Sequence, residues 1–134
     1  MKKCLLLPIF FAILLSSCRE EKAEESFTVG LEEQFQHGKI NKSAKHSLQF
    51  SITEINDSRC PSDVVCIWEG KADVRLSIES PQKGEIVLST YNNLVDTFAN
   101  YSFTLIDVSP YPVSTKTIEL EDYTVLIKIE EIQD

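Results

Sequence analysis

Apolar and polar residues alternate with a period of two along much of this chain, which is the pattern of a β-strand with one buried face. The clearest example is the segment 72–79, in which every second residue is apolar and the residues between are polar. The segments 48–53 and 123–130 show broadly the same alternation. No long segment keeps the 3.6-residue apolar spacing of an amphipathic helix. The pattern therefore predicts an all-β protein.

Turn-forming residues separate these segments from one another and from weaker strand candidates. Pro81 and Gly84 bracket a short connection, so the segments 72–79 and 85–90 are predicted to form an antiparallel hairpin. The alternation changes phase near residue 54, which predicts a β-bulge. The weaker strand candidates lie at 27–31, 86–90, 101–108 and 117–120, and the segment 93–100 is ambiguous and could hold one helical turn.

Short strands with alternating faces, joined by turn-rich connections, are typical of two packed antiparallel sheets. We expect roughly seven strands in an immunoglobulin-like sandwich, with a small barrel as the alternative. The predicted domain covers residues 27–134, which is long enough to bury one core. The preceding residues 18–26 are mostly charged and are predicted to form a solvated tether.

The first part of the chain has the composition of a secretory signal peptide. Two lysines precede an apolar run at 5–15, and small residues then lead to Cys18. The run is shorter than the about 20 residues that span a bilayer, and Pro8 interrupts it. This arrangement resembles the lipobox of bacterial lipoproteins. We therefore expect residues 1–17 to be removed and Cys18 to carry acyl chains such as palmitate, which would anchor the mature chain to a membrane.

The chain is acidic, with 21 Asp and Glu against 13 Lys and Arg. Removal of residues 1–17 takes away two lysines and leaves a formal charge of −10. An acidic domain is a poor partner for nucleic acid or for an anionic lipid surface. No nucleic-acid partner is therefore predicted.

The segment 57–70 concentrates the reactive and aromatic residues of the chain. Cys60 and Cys66 are predicted to form a disulfide in an oxidising compartment, stabilising the domain by about 2–3 kcal/mol. In the structural interpretation, the only tryptophan, Trp68, covers this bridge or caps one end of the core. In the functional interpretation, Arg59 and Trp68 form a recognition surface on a rigid loop.

Other chemistry in this segment receives less support from the sequence. Catalytic disulfides usually have two residues between their cysteines, and the spacer here is longer. A metal site would need thiols that the expected compartment oxidises, and calcium loops carry denser acidic residues. No metal or cofactor is therefore predicted. The residues considered are Cys60, Cys66, His37 and His46 for a transition metal, and Asn56, Asp57 and Asp63 for calcium.

The segment 57–70 also contains a motif that resembles one found in a known group of proteins. Residues 57–61 (DSRCP), followed after four residues by 66–70 (CIWEG), resemble the motif D-S-R-C-P-x4-C-x-W-x-G of a group of uncharacterised bacterial lipoproteins. Residues 105–112 and 122–123 are also similar to that group, so the resemblance extends from about residue 48 onward. Residues 19–22 are similar to signals that export lipoproteins to the outer cell surface. The resemblance implies a cell-envelope location, favouring the outer membrane, and implies no activity.

The sequence contains few residues that are candidates for a catalytic site. Two histidines offer few general bases, and no serine or cysteine lies in a recognisable nucleophile motif. We therefore expect a lipid-anchored binding or accessory module whose partner is another envelope protein or a glycan. The alternatives are a glycan-active enzyme that uses paired carboxylates and a small inhibitory or structural domain.

Overall fold

The alternating segments form β-strands in the computed structural model, which describes residues 23–133. Within that range the chain has nine strands and one 3-10 turn, Leu120–Asp122. The strands are β1 (Glu24–Phe27), β2 (Glu32–Gln36), β3 (Ile40–Ser43), β4 (Gln49–Asp57), β5 (Ala72–Ser80), β6 (Gly84–Ser89), β7 (Val95–Phe98), β8 (Tyr101–Ser109) and β9 (Thr124–Glu131).

These strands form two sheets, which confirms the predicted β-sandwich. One sheet has the order β1-β3-β4-β5-β6 and the other has the order β2-β9-β8-β7. Neither sheet closes on itself, so the barrel alternative is wrong. All pairs are antiparallel except β1 with β3, which is parallel. The structure has more strands than predicted because β2, β3 and β7 are only four or five residues long, too short to show alternation.

The core lies between the sheets and is built around four phenylalanines from β1, β2, β4 and β8. Phe50 lies at the centre, with its ring edge-to-face against Phe35 at 5.0 Å, Phe27 at 5.4 Å and Phe103 at 6.0 Å between centroids. Each such aromatic pair contributes about 0.5–1.5 kcal/mol beyond the burial of its area. The alternating apolar residues of β5 and β9 complete the core.

Several local predictions can be compared directly with the strands. The predicted hairpin is present as β5 and β6, and the register of β4 shifts between Ile52 and Glu54, where the bulge was predicted. The segment 93–100 contains strand β7 rather than a helical turn. The segment 117–120 is not a strand; Ile118 instead packs on the core from a loop. The segment 27–31 is a strand end followed by a turn.

The domain begins earlier than the sequence predicts. The segment 24–26, assigned to the tether, belongs to β1 and pairs with β3. Its side chains are exposed, and only Phe27 at the end of the strand is buried. An edge strand tolerates such charged residues because its outward side chains stay in water. Cys18, the predicted signal peptide 1–17 and the first part of the predicted tether lie outside the described residues.

The strand directions bring three connections to one end of the sandwich, called here the loop end. They are 58–71 between β4 and β5, 90–94 between β6 and β7, and 110–123 between β8 and β9. The connection 28–31 lies at the opposite end. Among the described residues, no helix has the length and apolar character needed to cross a bilayer.

Candidate functional site: a disulfide-closed loop with an apolar tip

The β4–β5 connection is a closed loop with paired arms. At its base the N–H of Ser58 donates to the carbonyl of Lys71 at 2.7 Å, and the N–H of Cys60 donates to the carbonyl of Glu69 at 2.7 Å. The predicted Cys60–Cys66 disulfide is present and closes the loop above these hydrogen bonds. The backbone of the loop is therefore constrained at both its base and its middle.

A buried ion pair holds the base of this loop to the second sheet. The guanidinium of Arg59 donates to the two carboxylate oxygens of Asp57, from Nε at 2.8 Å and from Nη2 at 2.7 Å. The same group donates to the carbonyl of Val108 at 2.7 Å and of Pro110 at 3.2 Å. The side chains of Arg59 and Asp57 are only 7% and 4% exposed. This two-point geometry is one that arginine forms and lysine does not.

Two tyrosines complete the surroundings of the ion pair. The hydroxyl of Tyr123 donates to Asp57 at 3.1 Å, and the ring of Tyr111 lies 4.5 Å from the guanidinium carbon of Arg59. Burial alone would raise the pKa of Asp57, but the hydrogen bonds and charge of Arg59 hold that pKa below its ordinary value. Burial and the negative charge of Asp57 raise the pKa of Tyr123 to about 12.

A second attachment lies farther along the loop. The N–H of Ser62 donates to the carbonyl of Pro112 at 3.0 Å. The carboxylate of Asp63 accepts hydrogen bonds from the N–H of Ser114 at 2.8 Å and from its hydroxyl at 2.5 Å. These hydrogen bonds lower the pKa of Asp63 below its ordinary value. The loop is thus fixed to the β8–β9 connection at two places, in addition to its own disulfide.

The apolar residues beyond these attachments point into solvent. Val65 and Ile67 are fully exposed, and Trp68 is 81% exposed. These three residues are called here the apolar tip. The predictions that Trp68 covers the bridge or caps the core are therefore wrong. Gly70 contributes to this arrangement because its backbone has a φ of +69° and packs directly against the carbonyl of Ser58, bringing the two arms of the loop together.

The structure separates the two residues that the sequence assigned to one recognition surface. Trp68 is exposed, whereas Arg59 is buried and makes four side-chain hydrogen bonds within the protein. Arg59 therefore positions the loop and does not present its charge to a partner. Sequence reasoning missed Tyr111 and Tyr123 as parts of this cluster, although both lie in segments that carry the family resemblance.

Two depressions adjoin the apolar tip and share Glu69, Gly70 and Tyr91. The first, called the outer groove, has a volume of about 540 Å³, and Ile67, Trp68 and Tyr91 are among the residues that line it. The second, called the inner cleft, has a volume of about 530 Å³. Tyr91, Leu94 and Tyr111 form its apolar walls, and it also contains Glu69 and Asp107. The loop end thus offers both a projecting apolar surface and concave surfaces beside it.

The side chains considered for metal binding are dispersed or already bonded. Cys60 and Cys66 are joined to each other, and Asp57 is occupied by Arg59. The ring of His37 lies 3.1 Å from the carbonyl of Thr53, and His46 lies 3.7 Å from Glu131, at other places in the fold. Between residues 23 and 133, no three His, Cys, Asp or Glu side chains form a group that could hold a metal ion.

The geometry of this site is that of a rigid support with an exposed apolar surface. The ion pair of Asp57 with Arg59, the Asp63–Ser114 hydrogen bonds and the disulfide fix the backbone, and the apolar tip projects beyond them. Such an arrangement can bind a partner molecule through its apolar surface, and the loop presents no recognisable nucleophile. Comparisons with protein-family models, with curated proteins and with solved structures find no match for this chain.

Proposed function

We propose that this protein is a lipid-anchored binding module of the bacterial cell envelope. In this account residues 1–17 direct export, Cys18 is acylated, and the acyl chains hold the domain at the outer membrane. The disulfide between Cys60 and Cys66 supports this location, because such bonds persist outside the cytoplasm and are rare inside it.

The exposure of the apolar tip is the main observation that supports a binding role. Val65 and Ile67 have lost essentially no accessible surface on folding, and Trp68 has lost little. Isolated apolar side chains on a surface are ordinary, but an adjacent cluster on a rigid projection is typical of an interaction site. The attachments below the tip mean that little conformational entropy is lost when it is covered. Tryptophan is also among the residues that contribute most to binding energy at protein interfaces.

The chemistry of the tip favours a protein partner over a glycan. Trp68 and Tyr91 could each stack on a sugar ring, but Val65 and Ile67 offer sugar hydroxyls neither a hydrogen bond nor an aromatic face. A projecting aliphatic and aromatic loop instead fits an apolar pocket of another protein. The module acts either as an accessory subunit or as an inhibitor whose loop fills a partner's site.

The inner cleft also bears on the alternative of a glycan-active enzyme. It contains two carboxylates, Glu69 and Asp107, as such an enzyme requires. Both side chains are exposed, whereas the general acid of these enzymes is kept protonated by burial in an apolar environment. The two carboxylates therefore suit electrostatic contact with a partner better than proton transfer.

The anchoring part of the proposal has a direct test. The chain with Cys18→Ser, expressed in the native host, should leave the membrane fraction and be recovered in soluble form. Mass spectrometry of the unaltered chain should find acyl chains on Cys18 as the first residue. Recovery of an unmodified chain that still begins at Met1 would overturn this part of the proposal.

The binding part is tested by capture from chemically crosslinked envelopes. We expect the unaltered chain to retain one partner protein that the variant Ile67→Ser with Trp68→Ser does not retain. The matched control is Leu31→Ser, which removes an exposed apolar side chain at the opposite end of the sandwich and should leave capture unchanged. Equal capture by all three chains would show that the apolar tip is not the contact surface.

A further inference from the structure

We propose that the segment of the partner covering the apolar tip carries a lysine or arginine next to an apolar residue. The apolar residue would pack on Trp68 in the outer groove, and the cationic side chain would enter the inner cleft. This inference rests on the proposed function and adds the chemistry of the partner to it. It is drawn from the charges and walls of the inner cleft.

The inner cleft has an excess of negative charge. Glu69 and Asp107 both line it, and neither forms an ion pair with any residue in the part of the chain that the structure describes. Arg59 also borders the cleft, but its charge is compensated by the buried carboxylate of Asp57. Lys71, on the neighbouring groove, pairs with Asp73 at 2.9 Å. A cation from a partner would therefore meet two uncompensated carboxylates.

The walls of the cleft suit a long cationic side chain. Tyr91 is 61% exposed and forms part of both the inner cleft and the outer groove. Its ring can attract an ammonium or guanidinium group, and Leu94 can pack against the methylene carbons of the same side chain. Because Tyr91 is shared, a residue in the cleft and a neighbour in the groove can belong to one short segment.

The overall charge of the domain selects among the possible occupants of this surface. The formal charge of −10 expected for the mature chain disfavours an anionic lipid surface and disfavours a second copy of the same chain. It favours a basic partner, because complementary charge accelerates association and excludes partners of like charge. The occupant we infer is therefore a segment of another protein in which a basic residue and an apolar residue lie side by side.

The test uses the full chain in its native host, with p-benzoylphenylalanine at position 67 as a photocrosslinker. Ile67 borders the outer groove and is fully exposed, so this replacement leaves the core unchanged. The chain is compared with a cleft variant, Glu69→Lys with Asp107→Lys. The matched control is Glu119→Lys with Glu121→Lys, which makes the same change in net charge at exposed carboxylates outside the cleft. The readouts are the yield of adduct and the partner residues that it contains.

We expect the cleft variant to lower the adduct yield about tenfold and the control variant to leave it unchanged. We also expect the crosslinked partner peptide to contain lysine or arginine beside the attached residue. Equal yields from all three chains, or a peptide without a basic residue, would overturn this inference and leave the proposed function standing. Adducts only with lipid, with glycan or with a second copy of the chain would also overturn it. Absence of any adduct would count against the proposed function itself.

Discussion

Arg59 donates two parallel hydrogen bonds to the carboxylate of Asp57, two residues earlier in the chain, and both side chains are almost fully buried. The same guanidinium reaches carbonyls of residues 108 and 110, so the pair connects the end of β4 to the end of β8. The exposed loop therefore begins at a point fixed to both sheets. This arrangement explains how an apolar tip can project from a domain of this size without collapsing onto it.

Removal of one partner of this pair should destabilise the domain strongly. We expect Arg59→Leu to lower the free energy of unfolding by about 3–5 kcal/mol, because Asp57 would remain as an unpaired buried charge. The control is Arg75→Leu, whose ion pairs with Glu54 and Glu85 are solvent-exposed and should together contribute about 1 kcal/mol or less. Urea unfolding at neutral pH measures both values. Similar values for the two variants would contradict the structural role assigned to Arg59.

The same pair should make the stability of the protein sensitive to acid. The pKa of Asp57 is lower in the folded protein than its ordinary value of 3.8, because the folded state favours the ionised carboxylate. This stabilisation is complete above that value and is lost as the pH falls through the lower folded pKa. The difference in unfolding free energy between the unaltered chain and Asp57→Asn should therefore shrink below pH 3.8. A difference that is constant from pH 7 into this acidic range would contradict the prediction.

Gly70 should be the least replaceable glycine among those with positive φ in the described residues. A Cβ at this position would overlap the carbonyl of Ser58 and the Cα of Arg59. Gly38 has a similar φ of +76°, but a Cβ there meets nothing within 4 Å. We expect Gly38→Ala to cost about 1 kcal/mol from backbone strain alone, and Gly70→Ala to cost clearly more. Thermal unfolding of both variants provides the comparison, and equal losses would argue against close packing at Gly70.

The disulfide should stabilise the protein without being required for its fold. We expect Cys60→Ser with Cys66→Ser to lower the unfolding free energy by about 2–3 kcal/mol, since the loop that it closes is short. The β-sheet circular dichroism spectrum should be retained, because the core and the Asp57–Arg59 pair do not depend on the bridge. In the unaltered protein, neither Cys60 nor Cys66 should react with a thiol reagent before reduction. A free thiol at either position in the native protein would contradict the bridge.

Periodicity predicted the parts of the fold that depend on local sequence. The alternation in 72–79 gave the strand and its buried face, and the phase change near residue 54 gave the bulge. The short strand β7 was ambiguous because four residues carry little periodic signal. Strand β1 was hidden because its charged side chains resemble those of a tether, and only its backbone pairing with β3 distinguishes it.

The candidate site could be located from the sequence but its organisation could not. The expected oxidising compartment predicted the disulfide between Cys60 and Cys66, and the loop was correctly placed between two strands. The burial of Arg59 depends on carbonyls 49 and 51 residues away, a relationship that no local pattern encodes. The close approach of Gly70 to Ser58 in the opposite arm of the loop is likewise a contact that local pattern does not reveal. These contacts belong to tertiary structure.

The central claim is that the apolar tip is an exposed surface that a partner covers, and the fluorescence of Trp68 tests this claim most directly. Trp68 is the only tryptophan in the chain and belongs to the proposed contact surface. In the isolated protein we expect the emission of a solvent-exposed indole that acrylamide quenches readily. Addition of a tryptophan-free peptide spanning the crosslinked partner segment should shift the emission to shorter wavelength and protect it from quenching. Emission that is already protected in the isolated protein, or that is unchanged when this segment binds, would contradict the account.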